Sequence, residues 1–265
     1  MSSALIGRWE NQYGSLLDIG RHDDSGSFEG IYRSSTGSPG QFRIAGWSPP
    51  ADHKNLPVSF GVRWRNTSEG ERDPTWEWVS SMCGGLFLDT PDSVPILQVQ
   101  NNLVVSAPYG QLDIHRPGIY VETLTFRKSK AEHISCPAES KNLTQGTLTL
   151  LNEDAASSYR SLKFAYDDSG LVTGTLDTSE HHAPISGFTD FQTRGNLQSL
   201  ALTGLFPGGT LMAFGLAGNI DLVSGAALLS LNECRAVSYL NRYAVGITRH
   251  EKFVLDVTRH EFAGG

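Results

Sequence analysis

The chain is short of charge, of cysteine and of long apolar runs, and each shortage excludes something. Only 18% of its 265 residues are charged, which suits short strands and tight turns better than long helices. Three cysteines, Cys83, Cys136 and Cys234, are odd in number and share no metal-like spacing. They read as free thiols of a reducing compartment, not as a disulfide frame. No run of about 18 apolar residues could cross a bilayer as a helix, and residues 1–6 are too short for a signal peptide. The expectation is a cytoplasmic protein with no membrane partner, so the sequons at Asn66 and Asn142 read as chance matches. The 21 basic residues are outnumbered by 28 acidic ones, for a net charge of −7, and form no cluster, which argues against nucleic acid. Gly-x-Ser-x-Gly, Walker, Rossmann and zincin motifs are all missing, so neither cofactor nor metal is expected. Tryptophan is absent from the second half, since Trp9, Trp47, Trp64, Trp76 and Trp78 all fall within the first 78 residues.

What is present is glycine, 28 residues of it, punctuating short apolar-alternating runs. Strand-like runs cover 7–13, 15–20, 27–34, 41–48, 57–66, 75–88, 96–107 and 118–128, with Gly, Pro, Asn or Asp in nearly every gap. A polar stretch at 129–144, broken by Pro137, reads as a linker. Eight further runs follow at 145–151, 159–166, 171–177, 183–190, 197–206, 211–218, 222–232 and 242–253. Leu171-Val172-Thr173-Gly174-Thr175-Leu176 echoes Ser27-Phe28-Glu29-Gly30-Ile31-Tyr32, with glycine at the fourth place of each. The period implies a duplicated domain. The expected fold is all-β: two tandem eight-stranded antiparallel up-and-down barrels, the first over 1–128 and a degenerate, structural second over 145–265. Such barrels leave no free edge and enclose room for one small ligand. The second is expected to pack on the first, through the apolar run Leu222–Leu231, giving a monomer or a homodimer. The repeated Thr-Arg-His-Glu at 248–251 and 258–261 has no explanation in these terms.

The stretch Gly7–Ile19 holds the first candidate site. With period two, Trp9, Asn11 and Tyr13 share a face. A buried amide without a partner costs about 1–3 kcal/mol, so Asn11 needs company. Ser15, Tyr32 and Ser34 supply it, and together these donors would converge on a carbonyl oxygen.

Gly7-x-Trp9-x-Asn11-Gln12-Tyr13-Gly14-Ser15, Gly30-x-Tyr32-x-Ser34, Val62-Arg63-Trp64-Arg65-Asn66 and Trp78-Val79-Ser80-Ser81-Met82-Cys83-Gly84-Gly85 resemble the avidin/streptavidin family in order and spacing. The resemblance covers 7–128 well and 145–253 as a faded copy. It implies that Asn11, Ser15 and Tyr32 bind the ureido oxygen of biotin, with Ser34 beside them. Glu122, in Val121-Glu122-Thr123, would take the place of the family's strand-8 carboxylate and face the adjacent N–H or O–H. Trp64 and Trp78 would wall the calyx. The chain departs from the pattern at Pro74 and Trp76, which replace the family's Ser and Thr, and has no tryptophan in 96–105 or 108–121. Aromatic walls bury about 150–250 Å² each, so these changes alter the grip on any ligand.

Two functions of different class follow. In the first, a flat carbonyl-bearing molecule is bound and isomerised or cyclised without a cofactor, Asn11 and Tyr32 stabilising the oxyanion while a buried Glu122 moves the proton. In the second, the barrel binds biotin or another small cyclic amide or ketone without turnover, or serves as a lectin-like or defensive binder through the barrel ends. His115 and Cys83 read as surface or structural residues. His181-His182 lacks a third ligand and reads as an exposed loop. Gly84-Gly85 and Gly208-Gly209 read as turns, with no helix after them to cradle phosphate.

Overall fold

The computed structural model describes residues 3–36, 40–50, 54–65, 78–106, 116–130, 144–190, 195–207, 211–241 and 247–256. Trp76, His115, Cys136, Asn66, Asn142, Gly208-Gly209, the body of the linker and the second Thr-Arg-His-Glu lie outside the described residues.

Short alternating runs become strands because one face of each is apolar and the other is not. Eight of them form a first closed antiparallel barrel: β1 (Gly7–Asn11), β2 (Leu16–His22), β3 (Ser27–Ser34), β4 (Gly40–Trp47), β5 (Asn55–Arg63), β6 (Val79–Phe87), β7 (Ile96–Val105) and β8 (Gly118–Lys128). Eight more form a second: β9 (Thr144–Asn152), β10 (Tyr159–Asp167), β11 (Leu171–Thr178), β12 (His182–Thr189), β13 (Leu197–Phe206), β14 (Met212–Asp221), β15 (Ala226–Arg235) and β16 (Ile247–Leu255). Each barrel closes between its first and last strands, β1 on β8 and β9 on β16. The all-β, two-barrel expectation therefore holds, and no helix occurs among the described residues.

The inward faces supply each barrel's core. Trp9, Leu17, Ile19, Tyr32, Phe42, Phe60, Met82, Val99 and Phe126 are core residues of the first, and Leu150, Leu162, Leu176, Leu202, Phe214, Leu231 and Phe253 of the second. Trp9 is fully buried, yet its indole N–H donates to the Leu5 carbonyl at 2.9 Å.

The barrels pack through outer faces. Ala45, Val79 and Val104 of the first meet Phe188, Ala201 and Ala217 of the second in one buried cluster. Ser59 and Ser81 hydroxyls donate to the Gly204 and Leu202 carbonyls, both at 3.2 Å. The contact is close enough that a Cβ on Gly61 would lie 3.2 Å from the Gly187 Cα. Cys83 and Cys234, far apart in sequence, both lie at this contact. They are buried thiols not joined in a disulfide, and the hydrogen bond between them, with burial, pushes the Cys83 thiol up. The expectation that Leu222–Leu231 forms the interface is corrected. Asp221 Oδ1 accepts the Val223 N–H at 2.8 Å, and Gly225, at φ 72°, completes a hairpin turn. This leaves Leu222 and Leu228 exposed, and β15 reaches the first barrel through its later part, around Asn232 and Cys234.

The pairing registers align the barrels position by position. Asn11 pairs with Phe126 and Asn152 with Phe253; Gly30 pairs with Ile44 and Gly174 with Ile185. One outward ion pair survives with its sign reversed. Asp18 on β2 binds Arg33 on β3, whereas at the matching places Lys163 on β10 binds Asp177 on β11. Burial raises the Asp177 carboxyl, but hydrogen bonds from Lys163, His182 and Ser161 outweigh it and hold the group at about 2. Its stabilisation is present above the free carboxylate range near pH 4 and lost as pH falls toward the folded value. Lys163 is half-exposed, so Asp177→Ala is expected to cost only about 1 kcal/mol at neutral pH. Urea unfolding should show that difference at pH 7 and its loss below the folded value.

Candidate functional site

Asn11 ends β1 and is buried, with 6% exposure. Its Oδ1 accepts the backbone N–H groups of Tyr13 at 3.0 Å and Ser15 at 2.9 Å, so the side chain itself caps the turn. That fixes the amide with Nδ2 directed inward, where it donates to the Tyr32 hydroxyl at 3.1 Å. Tyr32 comes from the inward face of β3, following Phe28 and Gly30 by period two. Burial raises its phenol to about 12, with the Glu122 charge adding to the rise and hydrogen bonds from Ser15 and Asn11 opposing it. The hydroxyl is therefore a neutral donor at any ordinary pH. One Nδ2 hydrogen of Asn11 is engaged by Tyr32; the second remains for another acceptor.

The aromatic surround is on the same face. The Trp64 ring meets Tyr32 edge-on at 5.3 Å and Phe42 at 5.1 Å, and its indole N–H donates to Ser80 Oγ at 2.7 Å. Trp78 is buried beside Val105, with Trp64 and Leu103 packed against them. Phe126 closes on Tyr32 from the other side at 6.3 Å.

Three expected placements are corrected. Tyr13 is not on the inward face: β1 stops at Asn11 because the Asn11 cap turns the chain, and Tyr13 is 53% exposed in that turn. Ser34 does not join the cluster, since its hydroxyl donates to the Thr36 carbonyl at 2.7 Å. Ser35 takes that place instead, its Oγ lying 3.1 Å from Ser15 Oγ. Glu122 shares the face of Leu124 and Phe126 but sits at the exposed mouth of the barrel, not buried. It does find a donor, the Asn101 Nδ2 at 3.1 Å.

Asn101 is the site residue that the sequence reading missed. It follows Leu97 and Val99 on the inward face of β7, opposite Met82 on β6 and Glu122 on β8, and is 4% exposed. Its signal was present in the period of two, but polar Gln98, Gln100 and Asn102 on the other face hid the alternation.

The second barrel keeps Asn152 at the place of Asn11 but not the rest. The registers put Leu176 where Tyr32 stands, Leu231 where Asn101 stands and Arg249 where Glu122 stands. Its inward polar groups are another set: Tyr159 donates to Glu233, and Glu251 accepts from Asn152 Nδ2 at 2.8 Å and Ser157 Oγ at 3.0 Å.

The family model described as "Avidin family" matches residues 1–82. Among solved structures, xenavidin is 22% identical, with 49% of this chain and 100% of that one covered at a TM-score of 0.38. A biotin binding protein from chicken is 21% identical, with 48% and 97% covered at 0.37. No curated protein matches the sequence. Two closed eight-stranded barrels, the first similar to the avidin family over residues 1–82, fit a tandem avidin-like architecture.

Proposed function

We propose that the first barrel binds a small, flat, carbonyl-bearing molecule and holds it without turnover. One observation carries this reading: the Asn11 amide and the neutral Tyr32 hydroxyl meet on the inward face, beside Trp64. A carbonyl oxygen set against them would accept from both, displacing no charge. Biotin is one compound to test, since residues 1–82 match the avidin family model. Umbelliferone methyl ether, a flat lactone without a donor, is a second.

Calorimetric titration of the full chain is expected to show saturable binding of at least one of these. Tyr32→Phe removes one donor and should weaken that binding about tenfold, near 1.4 kcal/mol. The reading fails if neither compound binds, or if Tyr32→Phe binds as well as the parent.

A second reading, cofactor-free isomerisation or cyclisation, is favoured by Glu122 standing close enough to raise the Tyr32 phenol. Tyr32 would then stabilise the oxyanion and Glu122 would shift the proton. Its exposure at the mouth leaves Glu122 open to solvent, which supports binding ahead of catalysis. A product of altered structure that forms with the parent and not with Glu122→Gln would reverse that order.

A further inference from the structure

Among the described residues, Asn101 Oδ1 accepts no hydrogen bond although the atom is buried. The residue is 4% exposed, and its neighbours across β6 and β8 are Met82, which has no donor, and Glu122. The orientation of the amide is set by chemistry. A carboxylate only accepts, so the Nδ2 must face Glu122, as it does at 3.1 Å, and the Oδ1 must face away from it. A buried carbonyl left without a donor costs about 1–3 kcal/mol.

We infer that Asn101 is a specificity-determining residue of the first-barrel site, and that the ligand presents an O–H or N–H to its Oδ1. The inference rests on the binding reading above and narrows it. Asn11 and Tyr32 offer donors from β1 and β3; Asn101 offers an acceptor from β7, four strands from β3 around the eight-stranded ring and so on the opposite wall. The complementary molecule is thus polar at both edges: a carbonyl at one, a hydroxyl or ring N–H at the other, with a flat apolar body between. A ligand lacking the second group would leave Oδ1 orphaned, whereas one that has it removes that penalty on binding, so discrimination is set against an unpaired group and is large. Glu122 is a positioning residue, acting on the ligand only by pinning the Asn101 amide.

The test compares umbelliferone, which carries a phenolic O–H on the edge far from its carbonyl, with its methyl ether. Both are titrated calorimetrically into the full chain below the pH at which the phenol ionises. The parent protein is expected to prefer umbelliferone about tenfold. Asn101→Leu, similar in size, should bring the ratio of the two affinities to about one. Glu122→Gln, at an exposed position that leaves the core alone, is the second variant. Its amide can donate to Oδ1 or let Asn101 turn over, and should also reduce the ratio. A merely structural Glu122 would leave the ratio unmoved.

Equal binding of both coumarins to the parent overturns the role of Asn101 and leaves the carbonyl-binding reading standing. A preference that survives in both variants overturns it too. If neither coumarin binds, this inference falls, and the biotin titration alone then decides the reading beneath it.

Discussion

Gly30→Ala should destabilise the first barrel by about 3 kcal/mol, or prevent its folding, although it adds one methyl group. A Cβ at Gly30 would lie 2.0 Å from the Asp18 carbonyl oxygen, a backbone atom of the adjacent strand that cannot swing aside as a side chain would. The strands are held there by the pairs Asp18↔Ile31 and Ile19↔Gly30, next to a register shift between Ile19 and Arg21. The tight approach is local and deliberate in the sense that it accompanies a bulge. Its duplicate behaves alike: a Cβ at Gly174 would lie 2.1 Å from the Lys163 carbonyl oxygen. Gly174→Ala is therefore expected to cost a similar amount in the second barrel. Thermal unfolding followed by tryptophan fluorescence reports on the N-terminal half, because all five tryptophans lie within residues 9–78, while far-UV circular dichroism reports both barrels. Gly30→Ala should lower the fluorescence transition at least as much as the dichroism one. A shift of under about 0.5 kcal/mol, the range of ordinary surface changes, would show that the strands can separate freely at this point.

The same pair of glycines shows what could be read ahead of the structure. Their common place in two echoing segments pointed to duplication, and the two barrels with matching registers bear that out. Alternation sufficed for strands because it is a local property, fixed by which face each side chain takes. Asn11 and Tyr32 were legible for that reason, each following an inward aromatic, Trp9 and Phe28, in steps of two. Tyr13 and Ser34 were not, because side-chain hydrogen bonds at Asn11 and Ser34 turn the chain where hydropathy alone would continue it. Asn101 was hidden by amides on both faces of β7. The meeting of Cys83 with Cys234 was beyond reach, since it depends on how two finished barrels dock and no periodicity encodes that. The exposure of Glu122 is a similar case: its face follows from Phe126, but its depth depends on the tilt of the whole strand.

Asp18 carries the second large expected effect. It is fully buried on the outer side of β2, between Arg8, whose Nε donates at 2.6 Å and Nη2 at 2.9 Å, and Arg33. Two cations on one carboxylate leave an excess of positive charge when the carboxylate is removed. Breaking a buried pair commonly costs about 3–5 kcal/mol. Here both arginines are partly exposed, at 12% and 23%, and can recover some hydration, so Asp18→Ala should cost about 2–3 kcal/mol. Asp18→Asn keeps the shape and one acceptor and should cost less. The pH dependence has a definite sign. Burial raises the Asp18 carboxyl, but the hydrogen bonds and charges of Arg8 and Arg33 outweigh it and hold it below the usual carboxylate range. The unfolded chain therefore takes up the proton first as pH falls, and the contribution of Asp18 is intact above about pH 4 and lost below it. Urea unfolding of parent and Asp18→Ala should differ at pH 7 and converge as the folded carboxyl protonates. Curves that stay parallel down to that pH would mean that the carboxylate is worth its shape and not its charge. The reversed pair in the second barrel gives the internal control, since Asp177 faces a half-exposed lysine and should show the same sign at a smaller size.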